Sequence, residues 1–251
     1  MIGTNDGRSY YDSLQLSLRR QQGALKFYAN YTWSKTIDNS SVDGNGFTRP
    51  IDSFNPRLHR ALADPNRPHV FNSSFIYTLP VGRGRRMGGG WPAWVDSLVG
   101  GWDVGILSIW ESGPTITYGS GRQTAGADVN TRANYNGDRN IGRVDRRGNG
   151  VYWLSAEEAA RFSFPGAGDI GTSGRNGFRG SRYFNVDLSL VKSFRIRETH
   201  RVALRWEFYN LLNKPNFGGP GTNLMTPASF GRISGLAGGV RIMQAALRYD
   251  F

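Results

Sequence analysis

Hydrophobic and polar residues alternate along seven stretches of this chain. The clearest stretch is the last one, 240–251. Its apolar set is Met243, Ala245, Leu247, Tyr249 and Phe251, and its alternate set is Gln244, Ala246, Arg248 and Asp250. A period of two over this length predicts a β-strand with one apolar and one polar face.

The same period predicts an all-β, antiparallel fold. The predicted strands cover about 9–20, 24–35, 69–79, 101–111, 182–194, 200–210 and 240–251. Most run for roughly 10 to 12 residues, which is the length that a tilted strand needs to cross a bilayer. Between them, a short amphipathic segment at 91–98 is suited to an interface, and one helical turn is predicted at 154–162, opened by a Ser155/Glu158 capping box.

The connections between these strands alternate in length. Short or intermediate connections (21–23, 80–101, 195–200) take turns with long ones (36–67, 112–180, 211–239). Because consecutive strands are antiparallel, all long connections fall on one side of the sheet. This asymmetry is typical of an outer-membrane β-barrel with long extracellular loops and shorter periplasmic turns. A soluble β-sandwich is the alternative, but its strands and loops are rarely this long and asymmetric.

Aromatic residues on the apolar faces predict a lipid-facing girdle. Trp102 and Trp110 share a face eight residues apart, which is about 26 Å along a strand. At a tilt of about 45° this spans ~19 Å of depth, close to the rims of a ~25 Å apolar band. The predicted girdle consists of Trp33, Tyr77, Trp102, Trp110, Trp206 and Tyr249.

Charged residues on the opposite faces predict a lumen-facing charged wall. Its members are Asp103, Glu111, Asp187, Arg205 and Glu207. They are interpreted either as a charge ladder that meets a substrate or, more commonly in such sheets, as cross-strand pairs that stabilise the wall.

The composition agrees with a protein whose β-strands, and not helices, cross a membrane. The chain has 251 residues, a net charge of +12 and mean hydropathy of −0.47. No stretch approaches the roughly 18 apolar residues of a membrane helix, so a membrane form must be a barrel.

The excess of positive charge comes mainly from arginine, since 27 of the cations are Arg and 4 are Lys. Such an excess suggests a polyanionic partner. Because the charges lie in connections and not on a helical stripe or nucleic-acid motif, we expect outer-membrane lipid and lipopolysaccharide, and no nucleic acid.

Reactive chemistry is not indicated. The chain has no Cys, which excludes disulfides and thiolate nucleophiles. His59, His69 and His200 lack metal-ligand spacing. We therefore expect no enzyme activity, no catalytic residues, no cofactor and no metal. Residues 1–7 lack the basic and apolar regions of a signal peptide.

Several segments resemble TonB-dependent receptors. Segments 185–194, 204–217 and 247–251 look like the end of such a receptor barrel. Segments 64–69 (DPNRPH) and 171–180 (GTSGRNGFRG) are similar to the Oar-like branch, whose members carry an N-terminal carboxypeptidase-regulatory-like domain.

The resemblance implies a 22-stranded barrel filled by an N-terminal plug. About seven strands, without a plug, TonB box or signal peptide, correspond to the C-terminal portion of such a barrel. The implied partners are the missing N-terminal barrel and plug, and the TonB energising complex through that plug. The barrel-assembly machinery is a further implied partner, and it reads the segment that ends in Tyr249 and Phe251.

The expected function is energised uptake of a scarce ligand at the cell outer membrane. A surface adhesion or scaffold protein is the alternative from another class, suggested by the very long loops. A soluble basic β-domain that binds polyanions is a weaker one.

Overall fold

Seven long antiparallel strands form the main sheet of this protein. The computed structural model describes residues 7–41, 51–52, 55–125, 129–196 and 200–251. The strands are adjacent in chain order. They are β1 (Ser9–Arg20), β2 (Leu25–Asp38), β3 (His69–Thr78), β4 (Trp102–Glu111), β5 (Tyr183–Arg195), β6 (Arg201–Tyr209) and β7 (Ile242–Asp250).

Each long strand lies on a predicted one, and the largest difference in bounds is at β2. The alternation predicted an end at residue 35, but pairing with β1 continues through Asp38. A short strand, Ala61–Leu62, pairs with β2 at the same place. Among the described strands, β1 and β7 each pair on one side only, so this sheet is open.

The register gives the sheet two consistent faces. One row of directly paired residues crosses six strands, and it consists of Leu25, Tyr77, Val104, Leu190, Trp206 and Ala245. We call the face that carries this row the apolar face. The polar face carries the intervening residues, such as Asn30, which lies opposite Asn72 and accepts a hydrogen bond from the Ser17 hydroxyl at 2.7 Å.

The two ends of the sheet differ. Connections 39–68, 112–182 and 210–241 leave from one end, which we call the loop end. Connections 21–24, 79–101 and 196–200 leave from the other, the turn end. The middle turn-end connection contains helix α1 (Ala93–Val99).

The described parts of the loop-end connections fold together into a loop module. It contains a 3-10 helix (Pro56–His59) and helix α2 (Ala156–Ala160), which the predicted Ser155/Glu158 capping box opens. Its short strands form three small sheets: Thr115–Ile116 with Phe178–Arg179, Asn134–Tyr135 with Phe162–Ser163, and Asp145–Arg147 with Gly150–Tyr152 and Arg232–Ile233. Strands of two or three residues are too short to give a periodic signal, so the alternation did not predict them.

The buried core lies in the loop module and not in the main sheet. The Tyr118 ring contacts the rings of Phe162, Phe178 and Phe230 at centroid distances of 4.7, 5.2 and 5.4 Å. The whole cluster is Ile116, Tyr118, Ala133, Leu154, Phe162, Phe178 and Phe230. Within the described ranges, none of the buried hydrophobic residues belongs to β1–β7. The hydrophobic side chains of the main sheet therefore lack a protein core to cover them.

Candidate functional site

The apolar face of the main sheet is not covered by a protein core among the described residues. Leu16, Trp33 and Leu247 are 56%, 57% and 70% exposed, respectively. Burying apolar surface contributes about 25 cal/mol per Å², so a face of this composition is unfavourable in water. Its alternation across seven strands fits contact with hydrocarbon.

All six residues of the predicted girdle lie on this apolar face. Trp33 and Trp110 lie toward the loop end, while Tyr77, Trp102 and Tyr249 lie toward the turn end. Trp206 lies within β6, and its ring stacks on that of Trp102 at 5.8 Å. This distribution places aromatic side chains near both ends of the face.

Lys192 is a buried cation on the apolar face that the sequence reasoning missed. Its side chain is 3% exposed, and its Nζ donates to the Gly100 carbonyl. The ammonium also lies 4.9 Å from the Phe194 ring centroid and 5.9 Å from that of Trp102. These rings and the carbonyl compensate the charge. The alternation in the sequence could have identified it, because Lys192 follows Leu188 and Leu190 at a spacing of two and so falls on their face.

Two serines also interrupt the apolar face. Ser73 and Ser108 lie directly opposite each other in β3 and β4, and their hydroxyl oxygens are 2.6 Å apart. One hydroxyl donates to the other, so one of the two donors is satisfied within the sheet without water, which favours a lipid-facing position.

The predicted charged wall lies on the polar face, but its five members do not form one ladder. None stands directly opposite another in the register. Asp103 and Arg205 both flank Val191, from β4 and β6. Of the five, only Arg205 and Glu207 form an ion pair with each other, at 3.6 Å.

The remaining wall carboxylates are satisfied locally. Asp103 accepts from the Thr78 hydroxyl at 2.6 Å, and Glu111 pairs with Arg67 at 3.2 Å. Asp187 accepts from the Asn210 backbone N–H at 2.8 Å, which fixes the start of a loop-end connection. These contacts stabilise the wall and the strand ends.

The predicted assembly signal is an aromatic stack at the turn end. The Tyr249 hydroxyl lies 2.6 Å from His200 Nδ1, and the two rings stack at 5.8 Å. Phe251 stacks on Tyr249 at 5.9 Å and is 90% exposed. The stack therefore presents the Phe251 ring outward.

The two segments that carry the Oar-like resemblance contact each other in the loop module. Asn176 donates to the Leu62 carbonyl at 2.7 Å and to the Asp64 carboxylate at 2.6 Å. Arg179 donates to the Asn66 carbonyl at 2.7 Å. Burial first, and then the nearby Arg67 charge, lower the pKa of Arg179.

A buried ion pair joins the same region to the sheet. The Arg175 guanidinium pairs with the Asp38 carboxylate at the last residue of β2, and it also donates to the Asp38 carbonyl at 3.1 Å. Both side chains are almost fully enclosed, at 11% and 7% exposure. The pair ties the longest connection to the end of β2, although 137 residues separate the two positions.

His59 is buried beside Arg132 and Arg175. Its Nε2 accepts from the Ile51 backbone N–H. Burial, followed by the positive charges of Arg132 and Arg175, lowers the pKa of His59 to about 4. The ring is therefore neutral at pH 7, and its role is to accept a backbone hydrogen bond.

An arginine-rich cavity lies where the loop end meets β1. It has a volume of about 640 Å³, and its lining includes Arg8, Tyr10, Arg57 and Arg60. The Arg60 guanidinium lies 5.9 Å from the centroid of the Tyr10 ring. Such a cavity suits a phosphate or another anion.

The described part of the chain contains no group of three or more His, Asp or Glu side chains that could hold a metal ion. His69 instead contacts the Tyr31 hydroxyl at 2.7 Å and lies 6.2 Å from the Trp110 ring. Nor does any described helix combine the length and apolar character needed to cross a membrane.

A long antiparallel sheet with one exposed apolar face defines a membrane β-sheet protein. A family model described as outer membrane beta barrel domain matches residues 2–244. The chain belongs to this family and is a protein of the outer membrane. No curated protein and no solved structure matches the chain.

Proposed function

We propose that the main sheet is part of the wall of a TonB-dependent receptor barrel that takes up a scarce ligand. The observation that carries this proposal is the open sheet with two chemically distinct faces. Bacterial barrels of one chain have an even number of strands, and unpaired edges favour association with further strands. The edges of β1 and β7 are therefore the positions where the other strands of a barrel of about 22 would join.

The loop module supports the Oar-like branch in particular. Segments 64–69 and 171–180 carry that resemblance, and hydrogen bonds from Asn176 and Arg179 connect them. In this proposal the loop end is extracellular and the turn end periplasmic. A module with its own buried core at the outer end of a barrel is suited to meeting a ligand before uptake.

The proposed partners follow from this orientation. Outer-membrane lipid covers the apolar face, and lipopolysaccharide phosphates suit Arg8, Arg57 and Arg60 beside it. An N-terminal barrel portion completes the wall, and its plug connects to the TonB complex. The barrel-assembly machinery recognises the strand that ends in Phe251. No catalytic step, cofactor or metal belongs to this proposal.

Uptake that depends on the energising complex tests the proposal. Cells that express the complete receptor should accumulate at least one solute too large for general porins, and should lose this uptake when the TonB complex is removed. The matched control is a receptor that lacks the plug. Accumulation that is equal with and without the TonB complex would contradict the transport proposal.

A surface adhesion or scaffold role is the second candidate, because the loop module has its own aromatic core. The same strains separate the two roles. Binding of cells to a surface or to one another should persist without the TonB complex if the loop module acts as an adhesin. The soluble polyanion-binding alternative does not agree with the outer-membrane family.

A further inference from the structure

The turn-end connection 79–101 carries an exposed apolar pair. Trp94 and Leu98 lie four residues apart in α1, on the same side of the helix. They are 68% and 63% exposed. The opposite side is occupied, since the Asp96 carboxylate accepts from the Arg83 backbone N–H at 2.6 Å. The helix is therefore fixed with its most apolar side chains pointing away from the protein.

The C-terminal end of α1 is fastened to the apolar face. The Trp102 indole N–H donates to the Leu98 carbonyl at 3.0 Å, and Lys192 Nζ donates to the Gly100 carbonyl. Both side chains belong to the apolar face. A cation is favourable at the negative end of a helix. These two contacts hold the end of α1 beside the surface that meets lipid.

The connection is also basic. Three arginines, Arg83, Arg85 and Arg86, precede α1, and Asp96 is the single acidic residue in 79–101, which gives a net charge of +2. The Arg85 and Arg86 side chains are exposed. In the described residues no ion pair involves either of them. Basic residues beside apolar ones are the composition of interfacial segments that bind anionic lipid.

We propose that connection 79–101 is an interfacial membrane anchor whose ligand is anionic phospholipid. Trp94 and Leu98 enter the headgroup region of the leaflet nearest the turn end, and Arg85 and Arg86 pair with lipid phosphates. The anchor fixes the depth and tilt of β3 and β4, which it connects. The proposed anchor requires that the apolar face contacts lipid. It does not depend on whether the protein transports a ligand.

The absence of cysteine allows a direct test. Single variants Leu98→Cys, Ile106→Cys and Leu236→Cys are labelled with a fluorophore in the 251-residue chain. The chain is then reconstituted in phosphatidylethanolamine–phosphatidylglycerol vesicles. Ile106 lies inside the apolar face, and Leu236 lies in a loop-end connection. Headgroup-level nitroxide lipids should quench the label at 98, and deep acyl-chain nitroxides the label at 106. Aqueous iodide should quench the label at 236.

Two results would overturn the anchor in distinguishable ways. A label at 98 that only iodide quenches, while the label at 106 stays lipid-quenched, would place α1 in water and leave the membrane face intact. If only iodide quenched the labels at both 98 and 106, neither α1 nor the apolar face would be in contact with lipid. Trp94→Cys provides a second variant on the same helix side and should give the result of Leu98→Cys.

The arginines are tested by lipid charge. With the label at 98, nitroxide phosphatidylglycerol should quench more strongly than nitroxide phosphatidylcholine. The double substitution Arg85→Gln/Arg86→Gln should bring that quenching ratio to one. Arg143→Gln/Arg146→Gln removes the same charge from the loop module and should leave the ratio unchanged. An equal loss in both double variants would show a general charge effect and contradict recognition by the anchor.

Discussion

Phe251 combines high exposure with a fixed position. It stacks on Tyr249, which in turn bonds to and stacks on His200, so the most exposed aromatic ring among the described residues is fixed at the turn end. A fixed, exposed aromatic side chain is suited to recognition by another protein. At the scale of single residues, this is the position where we expect the strongest effect on assembly.

Replacing Phe251 by Ala or Asp should lower the amount of the protein in the outer membrane, because the exposed ring is lost. Phe251→Tyr keeps the ring and should retain most of the yield. Leu236→Ala changes a residue that is 48% exposed in a loop-end connection and serves as the control. Quantitative blotting of outer-membrane fractions measures the effect, and normal yield of Phe251→Asp would contradict it.

His59 predicts a dependence of loop-module stability on pH. Because its pKa falls from 6.5 to about 4 on folding, the unfolded state binds more protons between these values. Stability is therefore full above pH 6.5 and falls as the pH drops toward 4. Protonation would also turn the Nε2 acceptor into a donor that faces the Ile51 N–H. We expect a loss of about 3 kcal/mol between pH 7 and pH 4, since each pKa unit corresponds to about 1.4 kcal/mol and the ring is buried.

Hydrogen exchange of the loop-end connections between pH 7 and pH 4 measures this loss. His59→Gln retains an acceptor without titrating and should flatten the pH dependence. An equally steep dependence in His59→Gln would assign the effect to another group.

The residue scale also shows where sequence reasoning succeeds and fails. Period-two alternation separated the predicted girdle residues from the predicted wall residues, and the register places the two sets on opposite faces, because a shift by one residue would turn every side chain of a strand over. It did not predict the partners. Asp187 accepts from the Asn210 backbone N–H after β6, and Lys192 donates to the Gly100 carbonyl after α1. Both partners lie in connections, where the alternation of the strands gives no information.

At the scale of elements, the Arg175–Asp38 pair joins the loop module to β2. Removing one partner leaves the other charge buried, so Asp38→Ala or Arg175→Ala should each cost about 3–5 kcal/mol. The double variant should cost less than the sum of the single variants. Arg248 and Asp250 form an exposed ion pair at 2.7 Å. The same double-mutant cycle on this pair should give a coupling free energy of about 0–1 kcal/mol.

Urea unfolding in the presence of vesicles measures both cycles. A coupling energy for Asp38 and Arg175 that is no larger than that of the exposed pair would contradict the role of the buried one.

Neighbouring positions in β4 test the two faces of the sheet. Ile106 lies on the apolar face and Leu107 on the polar face, at 37% and 53% exposure. Ile106→Arg should destabilise the membrane-inserted protein by about 2–4 kcal/mol, the cost of an arginine near the bilayer midplane. Leu107→Arg should have a small effect, because the polar face tolerates charge. Refolding into vesicles measures both, and a larger cost at Leu107 would reverse the assignment of the faces.

Long strands were predictable because each repeats its pattern over nine or more residues. The loop module was not, because residues far apart in sequence form its core. Tyr118, Phe162, Phe178 and Phe230 meet in space without any common period along the chain. Their rings were visible in the sequence only as isolated aromatics among glycines and polar residues.

At the scale of the whole molecule, the described core lies in the loop module, while the main sheet exposes its apolar face and two unpaired edges. Each feature promotes association in water, for different reasons. The apolar face is covered by lipid or detergent, whereas a strand edge is satisfied only by another strand. The two causes of association can therefore be separated by detergent.

The isolated chain should be insoluble or aggregated without detergent, because the apolar face is uncovered. In micelles it should dissolve but remain associated, because micelles do not pair the edges of β1 and β7. Sedimentation with density matching of the detergent gives the number of chains per particle. A soluble monomer without detergent would contradict the membrane assignment. A monomer in micelles would show that the seven strands need no partner strands, which would remove the basis for a larger barrel.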